Sequence, residues 1–401
     1  MNEYMNEYMK ETNEALLHTY DQFPVVLDHG EGAYLYDTEG KKYLDFAAGY
    51  AVSSLGYGNQ ELNEALKAQI DKLFHTSNLY YNTVCGKAAE DLKRITGMDR
   101  IFFTNSGGEA VEGTLKAARK YAYKKGTGRY EFIAMKESFH GRSFGALSVT
   151  GHDPYRAPFE PLVPGVSFAE YNDLDSVRAL MEQADGQTAA VIVEAVGANM
   201  GVVPPKKGFL EGLRKLCDEY GALLIFDEVI TGFRLAFGGA AEYFGVTPDL
   251  VTYGKIIGAG MPVGAYGGRR EIMELVSPVG KVYQAGTLSG NPIAMAAGLT
   301  QLKYLYEHQE IYKDLEEKGK RLYGGMEKIL AEKNLPYHIN HVSSLGSLFF
   351  TEQEVVDYTS AKSSDTKAFS EYFKGMLAQG IHMAPSQFEA CLLYTSPSPR
   401  D

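Results

Sequence analysis

Short apolar runs alternate with segments of helical spacing through the middle of the chain. Runs of strand length lie at residues 100–104, 132–135, 189–194, 222–226 and 250–253, and helical patterns separate them. Strands that alternate with helices in this way are typical of a mostly parallel sheet. The pattern therefore predicts an α/β fold with a large parallel-sheet domain.

The two ends of the chain show different patterns. Residues 25–46 alternate around glycines, with turn chemistry in DTEGKK, which predicts a small antiparallel meander. Near the other end, residues 293–329 and 366–378 have helical spacing, and we expect these helices to pack with the meander as a smaller lobe. The predicted domains are an N-terminal segment of that lobe at 1–48, a large domain at 49–300, a C-terminal small domain at 301–390 and a tail at 391–401.

One further helical pattern follows a glycine-rich loop, in the segment ELNEALKAQIDKL. Its apolar positions Leu62, Leu66, Ile70 and Leu73 fall on one helical face. We interpret this face as packing against the core and assign it no chemistry.

Composition and charge limit the class of protein. The 401 residues are 45% hydrophobic and 22% charged, as in an ordinary soluble globular protein with a large core. A net charge of −12 argues against a nucleic-acid or anionic-membrane partner. Three cysteines without paired spacing predict a reducing, cytoplasmic location. The histidines show no metal-ligand spacing, so no metal site is predicted.

Two charged residues stand at the ends of apolar strands. Asp227 follows the run at 222–226, and Lys255 lies just past the run at 250–253. Because the carboxyl ends of neighbouring parallel strands open into one crevice, both side chains can face the same ligand. Taken singly, the two residues are also explained as a helix cap and a lysine on a solvated loop.

The pair supplies what pyridoxal 5′-phosphate requires of a protein. The cofactor's aldehyde is held as a Schiff base by a lysine amine, and a neighbouring carboxylate keeps its ring nitrogen protonated. Lys255 and Asp227 provide these groups, which predicts a catalytic site with this cofactor. Val229, shortly after Asp227, is placed to touch one face of the ring.

A glycine-rich turn joins the strand at 100–104 to the next helix. Ser106, Gly107 and Gly108 precede Glu109, whose charge suits a helix start. Free backbone N–H groups at a helix N-terminus bind phosphate, and glycines let an anion come close. In isolation the turn is an ordinary helix cap, but upstream of the lysine and aspartate it predicts the cradle of the cofactor's phosphate.

The segment KESFHGRSFGALSVTGH follows the next strand. Phe139 is expected to lie against the pyridine ring, a contact that gives about 0.5–1.5 kcal/mol beyond area burial. Arg142 offers a planar fork for a substrate carboxylate. His140 is interpreted as a packing or ring-orienting residue rather than a base. From the residues alone, a core phenylalanine and a surface arginine remain alternatives.

In this order and spacing, the motifs resemble the class III, fold-type I pyridoxal-phosphate aminotransferases from about residue 23 to 390. The resemblance implies that Ser106–Gly108 form the phosphate loop, that Phe139 stacks on the ring and that Glu194 lies near it. It also implies that Thr287 reaches the phosphate of the neighbouring subunit's cofactor, and hence a symmetric homodimer. Without the resemblance, Thr287 is equally well explained as a helix cap.

Motifs of two branches of this family occur in the chain. Up to about residue 194, SFHGRSFGALSVTG and its neighbours resemble acetylornithine and ornithine aminotransferases, in which Arg142 would take the substrate's α-carboxylate. From about 195 to 390, GANMGVVPPKKGF, YQAGTLSGNP and MAPSQFEA resemble glutamate-1-semialdehyde 2,1-aminomutase. Asn199 stands where the acetylornithine branch has a glutamate that pairs with its arginine, so we expect Arg142 to lack that partner.

The motifs thus predict an aminotransferase that moves an amino group from an N-acetylornithine-like donor to 2-oxoglutarate, because Arg142 and its loop lie on the substrate side. The alternative is an aminomutase that moves the amine within one five-carbon molecule to give 5-aminolevulinate. A second alternative is a non-functional hybrid or truncated class III fold. The tail CLLYTSPSPRD departs from the family, from which we expect a truncated or misassembled reading frame, exposed apolar surface and low solubility.

Overall fold

A computed structural model describes residues 7–393. Its strands, in chain order, are β1 (Leu27–Glu31), β2 (Tyr34–Asp37), β3 (Lys42–Asp45), β4 (Arg100–Thr104), β5 (Glu131–Met135), β6 (Val166–Ala169), β7 (Thr188–Glu194), β8 (Leu223–Asp227), β9 (Leu250–Tyr253), β10 (Gly264–Gly268), β11 (His338–Val342), β12 (Leu345–Phe349), β13 (Ile381–His382) and β14 (Cys391–Leu392).

The helices are α1 (Glu7–Ala15), α2 (Ala48–Ala51), α3 (Gln60–Lys72), α4 (Cys85–Thr96), α5 (Gly107–Lys124), α6 (Phe144–Val149), α7 (Asp153–Arg156), α8 (Leu174–Gln183), α9 (Phe209–Tyr220), α10 (Gly239–Phe244), α11 (Arg270–Met273), α12 (Pro292–Glu307), α13 (Glu310–Glu332), α14 (Tyr358–Ala361) and α15 (Thr366–Ala378), with short 3₁₀ turns at Ala157–Phe159 and Lys255–Gly258. None of the helices in the described part of the chain combines the length and apolar character needed to cross a membrane.

The large sheet has seven strands in the order β4-β10-β9-β8-β7-β5-β6. All neighbouring pairs are parallel except those of β10, which runs antiparallel to both β4 and β9. The predicted mostly parallel sheet and the fold-type I class are confirmed. At one edge of this sheet, Glu194 pairs with Asp227, and Asp227 pairs with Thr252.

The interior strand β7 shows why the strands of this sheet appear as continuous apolar runs in the sequence. Every residue of β7 is buried, with Val191 and Val193 in one apolar core and Ala190 and Ile192 in a second. Since side chains alternate between the two faces of a strand, apolar packing covers both faces of the sheet. Glu194, the one acid in this strand, is its last residue and lies at the cavity described below.

Two smaller sheets lie outside the large one, and the first of them combines both ends of the chain. One has the order β1-β2-β3-β13, with Ile381 paired in parallel to Leu44, and the other has the order β11-β12-β14. The small lobe built from both ends is therefore present, as the fold class predicts. Cys391 and Leu392 form β14 against β12 instead of leaving the fold as a separate tail, while residues 394–401 lie outside the described residues.

The interpretation of one face of α3 as core was wrong for its C-terminal half. Ile70 is 49% and Leu73 39% exposed, whereas the buried residue of this helix is Gln69. Further large apolar side chains are exposed beyond α3. We call this set the exposed apolar face; it consists of Ile70, Leu73, Phe74, Leu79, Tyr80, Tyr81, Tyr283 and Leu288.

Candidate active site

A cavity of about 470 Å³ opens at the carboxyl ends of β7, β8 and β9. Its lining includes every predicted site residue except Arg142 and Thr287, namely Ser106, Gly107, Gly108, Phe139, Glu194, Asp227, Val229 and Lys255. Residues from distant parts of the chain meet here because the parallel strands end at the same edge of the sheet.

Asp227 is the last residue of β8 and is almost fully buried. Its Oδ1 accepts hydrogen bonds from the backbone N–H of Val229 at 3.0 Å and from the Thr252 hydroxyl at 3.1 Å. Its Oδ2 lies 2.7 Å from Nδ1 of His140. These three partners fix the carboxylate in one orientation at the cavity wall.

His140 is oriented by its bond to Asp227. A ring nitrogen that bonds a carboxylate oxygen donates its proton, so Nδ1 is the donor here. The other nitrogen, Nε2, is buried and has no hydrogen-bond partner among residues 7–393. This arrangement agrees with the interpretation of His140 as an orienting residue.

Lys255 begins the 3₁₀ turn directly after β9 and has a left-handed backbone, with φ of 50°. Its Nζ donates a hydrogen bond to the backbone carbonyl of Tyr50 at 2.9 Å. Burial lowers the pKa of the Lys255 amine, and the nearby charges of Glu389, Asp227 and Glu194 act in the opposite direction. A lowered pKa favours the neutral amine, the form that attacks a carbonyl carbon.

The glycine-rich turn ends in the helix α5, which begins at Gly107 rather than at Glu109. The Ser106 hydroxyl caps this helix by accepting from the Glu109 N–H at 3.2 Å. No acceptor within residues 7–393 bonds the N–H groups of Gly107 and Gly108. Free donors at a helix N-terminus form an anion site, so the turn fits the phosphate of the expected cofactor.

Gly107 leaves no room for a side chain. A Cβ placed on it would lie 2.8 Å from Cγ2 of Val229, which itself lines the cavity. We expect Gly107→Ala to displace the phosphate-facing N–H groups and to weaken pyridoxal 5′-phosphate binding by about tenfold, the cost of losing roughly one charge-assisted hydrogen bond. Titration of the apoprotein followed by absorbance measures this change.

Gly86→Ala is the matched control for this prediction. Gly86 lies in the first turn of α4, and a Cβ there would meet nothing within 4 Å. We expect its cofactor affinity to equal that of the wild type. Equal affinities of the Gly107 and Gly86 variants would contradict a phosphate site at the turn.

Glu194 forms the second acidic group of the cavity. Its Oε2 accepts from the Phe139 N–H at 3.1 Å, and its Oε1 accepts from the Asn199 amide at 2.5 Å. Burial raises the pKa of Glu194 to about 7, while His140 acts to lower it. Asn199 is thus engaged with Glu194 at the position where the acetylornithine branch has an acid facing its arginine.

The raised pKa of Glu194 predicts a pH-dependent stability. A carboxyl whose pKa rises from 4.5 to about 7 on folding binds more protons in the folded state. Its stabilisation is complete below the unfolded pKa and is lost as the pH rises through 7, a change of about 3 kcal/mol. We expect the free energy of unfolding of the apoprotein to fall by that amount relative to Glu194→Gln between about pH 4.5 and 8.

Urea unfolding of both proteins at the two ends of this pH range measures the difference. The buried Glu228 also has a pKa raised to about 7 by burial, but it is present in both proteins and cancels in the comparison. Parallel pH profiles of the wild type and Glu194→Gln would contradict the shift.

Arg142 lies outside the lining of the cavity and is exposed. Its guanidinium carbon is 5.1 Å from the ring centroid of Phe139 and 5.3 Å from that of Tyr155. Within the described residues it forms no ion pair. Arg142 nevertheless interacts electrostatically with Glu389. Burial raises the pKa of Glu389, and the positive charges of Lys255 and Arg142 offset part of that rise.

Thr287 is exposed and does not line this subunit's cavity. It does not cap the following helix either, since Asn291 accepts the capping bond from the Ala294 N–H at 2.9 Å. The capping alternative for Thr287 is therefore excluded. Its segment is tied to the exposed apolar face, because the Asn78 amide donates to the carbonyls of Gly286 and Ser289.

Sequence reasoning missed four groups around the cavity. Thr252 orients Asp227, the Tyr50 carbonyl holds Lys255, Tyr155 contacts Arg142, and Glu389 acts on both Lys255 and Arg142. The charged Glu389 in MAPSQFEA was a detectable signal, since it is the one charged residue of that stretch. The others had none, because a strand threonine, a backbone carbonyl and a surface tyrosine look ordinary in sequence.

Comparison with known proteins gives one family. Residues 16–395 match the model described as Aminotransferase class-III. Glutamate-1-semialdehyde 2,1-aminomutase 1 of Lachnoclostridium phytofermentans is 48% identical, over 92% of this chain and 87% of its own. Glutamate-1-semialdehyde 2,1-aminomutase of Acetivibrio thermocellus is 46% identical, over 94% of this chain and 88% of its own.

Among solved structures, the ornithine aminotransferase from Toxoplasma gondii matches with a TM-score of 0.86 at 27% identity, over 97% of this chain and 89% of its own. The first of the aminomutase alignments spans 381 residues and so crosses residue 194, where the motifs change branch. The enzyme class and the cofactor predicted from Lys255 and Asp227 are confirmed at the level of the family. The chain belongs to the class III aminotransferases, enzymes of fold-type I that use pyridoxal 5′-phosphate.

Proposed function

We propose that this enzyme is a glutamate-1-semialdehyde 2,1-aminomutase, which moves an amino group within one five-carbon substrate to give 5-aminolevulinate. The observation that carries the proposal is the 43–48% identity, over more than nine-tenths of this chain, to proteins of that name. This is the alternative left open by the motifs, which favoured an ornithine-type donor. An N-acetylornithine transaminase stays the second candidate, supported by the FHGR motif and the fold match to an ornithine aminotransferase.

In this proposal the cavity residues hold the cofactor in defined roles. Lys255 bonds its aldehyde, Asp227 faces its ring nitrogen, Phe139 and Val229 lie on its two faces, and the amides of the Ser106–Gly108 turn bind its phosphate. Pyridoxal 5′-phosphate supplies a ring that withdraws electrons from the carbon next to the bound amine. The three hydrogen bonds to Asp227 support its role, since they leave its negative charge fixed at the cavity wall.

Lys255 also moves the proton in this proposal. Once the substrate amine has replaced it at the cofactor aldehyde, the freed Nζ would take the proton from the amine-bearing carbon of the substrate as general base. As the resulting ammonium, it would return that proton, as general acid, to the cofactor carbon that bears the aldehyde. The lowering of its pKa by burial supports this role, because a larger fraction of the amine is neutral near pH 7. Glu194 keeps Phe139 in place through the backbone bond at 3.1 Å.

Arg142 is proposed to bind the substrate carboxylate. Its planar guanidinium can bond both carboxylate oxygens, and no acid within residues 7–393 occupies it at ion-pair distance. An arginine in this place serves either candidate, because both substrates carry a carboxylate. It therefore does not decide between them.

We also propose a homodimer that brings Thr287 to the partner's phosphate site. The exposed apolar face supports this, since Leu79 is 89% and Tyr80 73% exposed, and exposed clusters of large apolar side chains often mark interaction sites. A second copy of the chain covering this face would bury it and carry Thr287 along. Analytical ultracentrifugation should give twice the chain mass; a monomer at micromolar concentration would contradict the proposal.

A cytoplasmic location remains part of the proposal. Cys85, Cys217 and Cys391 are all free thiols, and Cys217 is buried. Free thiols are the usual state in a reducing compartment.

Two substrate assays test the reaction. Glutamate-1-semialdehyde alone, with the cofactor-loaded enzyme, should give 5-aminolevulinate without any added 2-oxo acid. N-acetylornithine with 2-oxoglutarate should give glutamate at a rate lower by at least about 100-fold, the discrimination that a few misplaced contacts provide. Strict dependence on 2-oxoglutarate with an ornithine-type donor would instead establish the second candidate.

A further inference from the structure

The guanidinium of Arg142 lies in a corner made by two aromatic rings. Phe139 and Tyr155 face each other edge to face, with ring planes at 88° and centroids 6.4 Å apart. The guanidinium carbon is 5.1 Å from the first centroid and 5.3 Å from the second. Both rings therefore attract the cation, and its position is defined although it forms no ion pair within the described residues.

One wall of this corner already belongs to the proposed cofactor site. Phe139 lines the cavity, so the guanidinium lies at the cavity mouth rather than elsewhere on the surface. A guanidinium that contacts aromatic rings through its π surface keeps the N–H groups at its edge free for hydrogen bonds. The five N–H donors are then available to a planar anion such as a carboxylate.

The second wall, Tyr155, is supported by neighbouring aromatic side chains. It lies on α7, and its ring packs against that of His152 with centroids 4.2 Å apart. Nδ1 of His152 is hydrogen-bonded to the Glu137 carboxylate. The centroid of the Tyr358 ring lies 6.1 Å from that of the His152 ring. Tyr155 is thus supported through its neighbours although it is 43% exposed.

We propose that Tyr155 is a positioning residue for substrate recognition, which holds the Arg142 guanidinium at the cavity mouth to receive the carboxylate of a five-carbon amino acid derivative. The proposal rests on the proposed function for the identity of the substrate. Tyr155 acts through Arg142 and does not touch the reacting atoms. Its loss should therefore affect carboxylate binding more than the chemical step.

The test uses pentanoate, a five-carbon monocarboxylate that has no amine and no aldehyde or keto group and so cannot react. Binding to the cofactor-loaded enzyme is measured by calorimetry for the wild type, Tyr155→Phe, Tyr155→Leu and Tyr155→Ala. We expect the leucine and alanine variants to bind about tenfold more weakly, the size of one cation–π contact, and the phenylalanine variant to bind within about twofold of the wild type. With the natural substrate, KM should rise by a similar factor while kcat changes little.

Tyr130→Ala is the matched control. Tyr130 is 44% exposed and also lies beside an arginine, with Arg119 at 6.0 Å, but it does not line the cavity. Its pentanoate affinity should equal that of the wild type. Arg142→Gln gives the full loss of carboxylate binding against which the tyrosine variants are compared.

Wild-type affinity for pentanoate in both Tyr155→Leu and Tyr155→Ala would overturn the proposal. So would wild-type affinity in Arg142→Gln, since the carboxylate would then bind elsewhere. A drop in kcat with unchanged KM in Tyr155→Leu would assign Tyr155 a different role and also overturn it. Formation of 5-aminolevulinate without an acceptor tests the proposed function separately, because pentanoate binding does not depend on which reaction follows.

Discussion

Lys255→Ala is expected to lower turnover by at least about 10⁴-fold, because the substitution removes the group proposed both to bond the cofactor and to move the proton. The visible absorption of the lysine-bound cofactor should disappear at the same time. The structure explains why another residue cannot take this place. The backbone of Lys255 is left-handed just past β9, its side chain lines the cavity, and its Nζ donates a hydrogen bond to the Tyr50 carbonyl. Absorbance spectra and initial rates measure both effects.

The control for this experiment is Lys215→Ala on the exposed side of α9. It should retain the wild-type spectrum and rate. Retention of visible absorption and turnover in Lys255→Ala after cofactor addition would exclude Lys255 as the attachment site. Rescue of part of the activity by added methylamine would support its role as the base.

Asp227→Asn is expected to reduce kcat by about 10²–10³-fold with a small change in KM. The substitution keeps the shape of the side chain but removes the charge that stabilises a protonated ring nitrogen, worth about two pKa units of that nitrogen. The new amide also places an N–H₂ group where Asp227 now accepts bonds from His140, Val229 and Thr252. Steady-state kinetics of the cofactor-loaded variant, with a melting curve to confirm folding, measures the loss.

Asp249→Asn is the control for Asp227→Asn. It shows whether a loss of kcat is specific to Asp227 or follows the removal of any buried acid. Asp249 is also buried, but it stands before β9 at the opposite edge of the sheet, where it binds Arg214 and the Leu224 N–H. Its replacement should lower the melting temperature while kcat stays near the wild-type value. Equal kcat losses in the two variants would show that Asp227 acts only through stability.

The central site was predictable because it depends on strand order rather than on side-chain packing. Asp227 and Lys255 each end or follow an apolar strand, and parallel strands bring such residues to one edge whatever the details. Glu194 also ends an apolar strand and pairs with Asp227, but its place near the ring was predicted from the family resemblance. The turn at Gly107 was predictable as well, since its glycines precede a long helix.

The surroundings of Arg142 were not predictable in the same way. Tyr155 contacts Arg142 from a four-residue helix, and Glu389 acts on it electrostatically from the C-terminal lobe. No periodicity in the sequence marks either residue. The prediction that the C-terminal half of α3 packs against the core was wrong for another reason. Its apolar spacing is identical for a face packed on the core and for one left uncovered, so Ile70 could not be assigned from the pattern.

The substrate was the least predictable property. Motifs near Arg142 resemble the ornithine-type branch, while overall identity favours the aminomutases. Local motifs describe the loops that contact a substrate, whereas overall identity is dominated by the scaffold that many substrates share. The role proposed for Arg142, binding a substrate carboxylate, is compatible with either reaction. The need for an external acceptor distinguishes the two.

The parallel pairing of Leu44 with Ile381 has a consequence for biosynthesis. The ribosome releases the β1–β3 hairpins long before the strand that completes their sheet has been translated, so the edge of β3 stays open while the large domain is made. An open strand edge is a template for wrong pairing. Nascent chains of this protein should therefore depend on chaperones that shield such edges until translation ends.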